Sequence, residues 1–182
     1  MIPDFDYNNV LPPYIGNAAN PNNQSPYPCD IMEFCHHFAT SPARIAILKG
    51  FVRFRLACVA NGIRGRQWID GSFVENVEAF ESRDPHDMDV VTLMKIGPEI
   101  DEAQLLAAFP EFVNHRLSIK NYMVDHYPFI INLSPEYTIQ QSKYWNLLFG
   151  HNRRGVWKGM LEIPLYDNDA FDQMAMNFLN TL

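Results

Sequence analysis

Apolar positions recur along this chain in two periods, one of three to four residues and one of two. After Ser41-Pro42, the residues Ile45, Leu48, Val52, Leu56 and Val59 follow at helical spacing. Ser as N-cap and Pro at the first helical position mark the start of that helix, and Asn61-Gly62 marks its end. Lys49, Arg53 and Arg55 fall mostly off the stripe and read as a solvated face. Residues 67–70 read as a short strand, broken at Gly71-Ser72 by a turn into a helical or irregular stretch through Val77. A loop over 82–86 then leads into a second strand at 87–93. Gly97-Pro98 predicts a turn, and Asp101 a cap for a helix carrying Leu105, Leu106 and Phe109 that Pro110 stops. A short helical piece over 112–119 precedes a third strand within 121–133, where Pro128 demands an edge position or a bulge. Ser134-Pro135 repeats the helix start, and the helix carries Ile139, Tyr144, Leu147, Leu148 and Phe149 before Gly150. A strand within 156–165 and a helix over 168–182, with Phe171, Met174, Phe178 and Leu179 inward, complete the pattern.

That order predicts an α+β domain with a small mixed sheet of three to four or more strands flanked by helices. The Pro- and Asn-rich beginning cannot sustain a helix or a central strand. Residues 1–40 are therefore expected as an extended arm packed on the domain, pinned by Phe5, Leu11, Tyr14 and Ile15, and residues 41–182 as the domain itself. With 182 residues, 47% hydrophobic and 19% charged, the chain can bury a core of useful size without disulfides. Its net charge of −7 argues against duplex DNA as a partner, since that binding needs a basic footprint. No apolar run approaches the ~18 residues that cross a bilayer, so no membrane partner is expected. Three cysteines, an odd count without a leading signal sequence, predict a reducing, cytoplasmic setting. Cys29, Cys35, His36 and His37 lack zinc-ligand spacing and read as buried thiols and helix-side histidines.

The candidate chemistry lies between Gln67 and Met94. Asp87 and Asp89 sit two apart at a strand start, so their carboxylates project to one side and raise each other's pKa unless a cation lies between them. A hard divalent ion, which takes one or two carboxylates plus substrate phosphates, suits such a pair. Gly71 lets backbone approach a phosphate closely, and Ser72 adds a donor. Arg153, Arg154 and Lys158 form the densest basic patch, either a phosphate-binding element or a polar connection. Asp70 reads as a turn residue without a catalytic role, and His86 as a solvated loop histidine that could touch a phosphate. Lys143 and Arg116 read as solvated charges.

An apolar strand, Gly71-Ser72, a loop and then Asp87-x-Asp89 on the next strand resemble the signature of the DNA polymerase β-type nucleotidyltransferases. The family pattern adds a third acid on a later strand, for which Asp125 in Met123-Val124-Asp125-His126-Tyr127 is the match. The fourteen residues between Ser72 and Asp87 exceed the usual gap, and the base-gripping role of the additional helical domain in larger relatives falls here to the N-terminal arm or residues 134–182. The resemblance implies a minimal nucleotidyltransferase fold in which Asp87, Asp89 and Asp125 bind Mg²⁺ or Mn²⁺. Gly71, Ser72, Arg153, Arg154 and Lys158 would then meet the phosphates of an NTP, most simply ATP. It implies transfer of a nucleoside monophosphate to a protein or RNA acceptor, or, alternatively, a catalytically degenerate fold that binds nucleotide or a partner as a regulatory subunit. Leu11-Pro12-Pro13, Trp68-Ile69-Asp70-Gly71-Ser72 and the stretch from Leu148 to Gly159 are also similar to a group of uncharacterised bacterial nucleotidyltransferase-like proteins. Small members of this superfamily resemble parts of toxin–antitoxin and phage-defence modules, which implies an oligomer or a cognate partner protein.

Overall fold

The computed structural model describes residues 1–97 and 102–182. The expected cap at Asp101 and the Pro98 turn lie outside those residues. Both Ser-Pro sites start helices as the sequence predicts, because each Ser hydroxyl accepts an otherwise orphaned backbone N–H. Ser41 accepts from Arg44 and Ser134 from Tyr137. The helices that follow the described N-terminal segment are α1 (Ile31–Phe38), α2 (Pro42–Ala60), α3 (Val77–Glu81), α4 (Glu102–Ala108), α5 (His115–Tyr122), α6 (Pro135–Phe149) and α7 (Ala170–Leu179). The strands are β1 (Tyr27–Pro28), β2 (Gly65–Asp70), β3 (Met88–Met94), β4 (Val124–Ile130) and β5 (Leu161–Leu165). Among the described residues they form one mixed sheet in the order β1-β5-β2-β3-β4. β2 runs antiparallel to both β3 and β5, while β3–β4 and β1–β5 are parallel. The α+β class follows, and Pro128 takes its place in the edge strand β4, where a missing N–H costs no ladder bond.

Strand alternation divides the sheet's side chains between two cores. Ile69, Met88, Val90, Met94 and Val124 face α1, α2 and α7 in the larger one. Trp68, Val91 and Phe129 face the other way, against Trp145 and Phe149 of α6. α2 lies so deep that Ile47, Leu48, Phe51, Val52, Phe54 and Cys58 are all buried, wider than the single stripe of the sequence pattern. A Cβ at Gly50 would run into the carbonyl of Tyr122, so glycine here lets α2 approach the end of α5.

Arg55 is the clearest departure from the pattern. It is buried rather than solvated, and its guanidinium donates to the Asp172 carboxylate, to Gln67 Oε1 (2.8 Å) and to the Pro164 carbonyl (2.9 Å). The pair turns α7 so that Asp172, Ala175 and Leu179 point inward, while Phe171 and Met174, expected inside, are exposed. From Arg55 a one-way chain of donors crosses the sheet. Gln67 Nε2 donates to Thr92 Oγ1 (3.1 Å), and Thr92 pairs with His126 Nε2 (2.7 Å). His126 Nδ1 faces the carbonyl of Phe112 (2.8 Å), which requires the Nδ1–H tautomer and leaves Nε2 to accept from Thr92. Burial pushes the His126 imidazole down to about 3.

The segment expected as an arm over 1–40 is shorter. Residues 27–38 supply the edge strand β1 and the core helix α1, because Tyr27, Ile31, Phe34, Cys35 and Phe38 are buried. Ahead of them Ile2, Val10 and Leu11 are buried and Phe5 packs near the Phe38 ring. Tyr14 and Ile15, expected as pins, are about half exposed. The arm ties two separate segments: Asn76 N–H donates to the Asn9 carbonyl (2.9 Å) and Gly159 N–H to the Leu11 carbonyl (2.8 Å). Cys29, Cys35 and Cys58 are buried free thiols, and burial raises the first two to about 12. Among the described residues no helix is long and apolar enough to cross a membrane.

Two outcomes are expected. Removing one member of a buried ion pair strands the other, so Asp172→Ala should cost about 3–5 kcal/mol in denaturant melts, against less than about 1 kcal/mol for Met174→Ala. For His126 the folded pKa lies below the unfolded value near 6.5, so its stabilisation is complete above that pH and is lost as pH falls toward 3. His126→Asn, which cannot titrate, should lower stability at pH 7 and remove a slope of up to about 1.4 kcal/mol per pH unit across that window.

Candidate active site

Register brings the acids together. In the antiparallel β2–β3 ladder Asp70 is opposite Asp89, and in the parallel β3–β4 ladder Asp89 is opposite Asp125. Residues opposed across a ladder share a face, so the three form a row at one end of the sheet, on the α6 side. Asp87 precedes Asp89 by two and joins the same side. Asp70, read from the sequence as a turn residue, therefore belongs to the acid row. At the end of β2 the chain turns at Gly71 with φ of +82°, and a Cβ there would run into the Asp89 carboxylate. Both the left-handed backbone and the close approach demand glycine. Ser72 then opens a short 3-10 turn (Ser72–Val74).

These strand ends form the floor of a cleft of about 650 Å³. Every residue the sequence singled out for chemistry lines it: Gly71 and Ser72 at the turn, Asp87, Asp89 and Asp125 on the floor, and Arg153, Arg154 and Lys158 from the segment after α6. Glu81, Arg83 and His86 form the facing wall. Arg154 lies over the Phe80 ring of α3 at 4.1 Å, joining the two walls by a cation–π contact. The cleft thus brings acids and cations together, with Asp70, Asp87, Asp89 and Asp125 at the strand ends and Arg83, Arg153 and Arg154 among the residues around them.

The floor carries more negative charge than its neighbours neutralise. Burial, then Asp87 and Asp125, raise the Asp89 carboxyl to about 6. Burial and Asp125 also raise Asp87. Asp125 Oδ1 is buried without a hydrogen-bond partner, although His115 Nδ1 lies 3.3 Å away. Asp87 and Asp89, raised by burial and by neighbouring acids, with an unpartnered Asp125 oxygen beside them, suit a divalent cation, and Asp87, Asp89 and Asp125 are the residues that would hold it. Among the described residues no three carboxylate, imidazole or thiol groups are already gathered at ion-ligand spacing. The three acids share a face and a cleft rather than a closed shell.

Lys158 has a different place from the open phosphate contact expected of it. Its ammonium is buried and bonds to Glu75 Oε1 (2.7 Å) and the Gly71 carbonyl (3.1 Å), with Asp70 Oδ1 at 3.1 Å. Burial acts to lower the Lys158 pKa, but Asp70 and Glu75 more than offset it, and the net shift is upward. One ammonium facing two carboxylates leaves one charge uncompensated. Asp70 bears that excess: burial raises it to about 7 against the pull of Lys158 and the Gly71 N–H. From the opposite side Arg44 of α2 donates to the carbonyls of Phe73 (2.6 Å) and Glu75 (2.6 Å) and to the Glu78 carboxylate. The turn after β2 is therefore held from below by Lys158 and from behind by Arg44.

The basic segment is a structured hairpin. Asn152 N–H donates to Val156 O (2.9 Å), Lys158 N–H donates to Gly150 O (3.0 Å), and Asn152 Oδ1 accepts from the backbone N–H groups of Arg154 and Val156, each at 3.0 Å. Sequence reading passed over Glu75, Arg44 and Asn152. Only the Asn-x-x-Gly spacing of Asn152 to Gly155, a turn signal, pointed to any of them.

Asp89 gives a pH-dependent test. Its folded pKa is raised, so its stabilising share is complete below about 3.8 and is lost as pH rises through about 6. Asp89→Asn should therefore be more stable than the parent at pH 7.5, on the order of 2 kcal/mol, with the difference gone below pH 4. Paired thermal melts across that range measure it.

No curated protein and no solved structure matches this chain. The sequence model of one family matches residues 3–164, which takes in nearly all of the arm, the sheet except the last residue of β5 and every residue of the cleft, but stops short of α7. By that match, the chain belongs to a family of unknown function, DUF6932.

Proposed function

We propose that the protein is a metal-dependent nucleotidyltransferase that moves a nucleoside monophosphate from an NTP, most simply ATP, to a protein or RNA acceptor. The observation that carries this reading is the row of acids at the ends of β2, β3 and β4, beside the Gly71 turn and beneath a cationic wall. Unpaired, such a cluster works against the fold, and a scaffold gains nothing from it. Asp87, Asp89 and Asp125 are suited to hold Mg²⁺ or Mn²⁺, which when bound neutralises charge on the attacking and leaving oxygens of an in-line displacement. The Gly71-Ser72 turn offers backbone and a hydroxyl to phosphate oxygens, and Arg153 brings positive charge that reaches Asp87 and Asp89. Lys158 and Arg44 act indirectly, by fixing that turn. Such chemistry rests on position and charge neutralisation, so a small domain has enough parts for it.

Incubation with α-labelled NTPs and Mg²⁺ or Mn²⁺ in a cell lysate should label a protein or an RNA. Asp87→Ala with Asp89→Ala should abolish the label, a loss of at least about 1000-fold, while circular dichroism stays unchanged. An intact protein that neither binds NTP with metal nor transfers label would refute the reading.

A further inference from the structure

Among the described residues, five buried side-chain polar atoms lack a hydrogen-bond partner: Asp70 Oδ1, Ser118 Oγ, Asp125 Oδ1, Trp145 Nε1 and Asn152 Nδ2. Three of the five belong to residues lining the cleft. Those three divide by chemistry. The two carboxylate oxygens each already have a nitrogen close by, Asp70 Oδ1 the Lys158 ammonium at 3.1 Å and Asp125 Oδ1 the His115 Nδ1 at 3.3 Å, whereas the Asn152 amide nitrogen can only donate and has no acceptor. An anionic oxygen is the ligand group that answers that donor.

The orientation of the Asn152 amide is fixed by its own loop. Its Oδ1 is occupied by the N–H groups of Arg154 and Val156, so its Nδ2 must be the end left unpaired. The loop is anchored in turn through Lys158, whose backbone N–H bonds Gly150 and whose ammonium grips the Gly71 carbonyl. The donor is thus preorganised relative to the Gly71-Ser72 turn. Its neighbour Arg153 sends positive charge toward the same acids. A buried amide donor without an acceptor is costly, and native folds rarely retain one without a use.

We infer that Asn152 is a phosphate-binding residue: its Nδ2–H donates to a non-bridging oxygen of the polyphosphate of a metal-bound nucleotide, alongside Arg153. This rests on the nucleotidyl-transfer reading and adds to it a residue and a ligand group. The donor is assigned to the phosphates rather than the base because it lines the same cleft as Arg153, the Gly71-Ser72 turn and the acids.

The test compares the full-length protein with Asn152→Asp and Asn152→Ser by calorimetric titration, using inorganic tripolyphosphate and ATP, each with Mn²⁺. Asp keeps the oxygen that accepts from Arg154 and Val156 but replaces the donor with a second oxygen. Ser keeps a turn-forming oxygen, adds no charge and is too short to reach the ligand, so it carries the test if the Asp variant fails to fold. Thermal melts verify that each variant is folded. The expected result is that the parent binds both probes and that each folded variant weakens both by roughly tenfold or more. Unchanged binding by a folded variant overturns the inference while leaving the nucleotidyl-transfer reading intact. Loss of ATP binding with tripolyphosphate binding retained also overturns it, since the contact would then be to base or ribose. A parent protein that binds neither probe overturns the underlying reading instead.

Discussion

The open end of this sheet depends on one buried ammonium. Asp70, Asp89 and Asp125 are set side by side by strand register, which admits no compromise because a slip of one residue would turn each to the other face. Lys158 lies against this row, bonded to Glu75 and the Gly71 carbonyl and 3.1 Å from Asp70. It compensates part of the charge and spends its remaining donor on the backbone of the turn. Electrostatics and loop geometry are thereby one interaction: the cation that makes the acids tolerable also sets where the turn lies.

The two faces of the sheet use polar groups in opposite ways. On the α2 side the chain from Arg55 through Gln67, Thr92 and His126 is satisfied from end to end, and it fixes the register of α7, β2, β3 and β4 to one another. On the α6 side the groups near the strand ends are left partly unsatisfied. Paired polar groups are concentrated on one face of the sheet and partly unsatisfied ones on the other, with only the thickness of the strands between them.

What the sequence made legible was local or periodic. Ser41-Pro42 and Ser134-Pro135 start helices because a cap is settled by two or three neighbouring residues. Asp87 and Asp89 are readable because a strand repeats every two residues, and Asp125 because the resemblance to the nucleotidyltransferase signature supplies a third acid that no local rule gives. The misreadings share a cause. Arg55 and Asp172 lie 117 positions apart, and each alone looks like a surface charge. Once they pair, α7 must rotate, which is why Phe171 and Met174 turned out exposed. In α6 the buried residues are Trp145 and Phe149, while Ile139, Tyr144 and Leu147 are exposed. Asp70 looked like a turn residue because its role depends on a register that one strand cannot reveal.

The N-terminal arm has a consequence for how the cleft is held together. Its Asn9 carbonyl binds the Asn76 amide, behind the Gly71 turn, and its Leu11 carbonyl binds the Gly159 amide, next to Lys158. Elements separated by more than eighty positions in the chain are thus laced by two backbone bonds from arm residues two positions apart. The walls cannot fray separately while the lace is in place. Separating the two segments requires breaking both bonds, so the Asn76 and Gly159 amides are expected to exchange with solvent together.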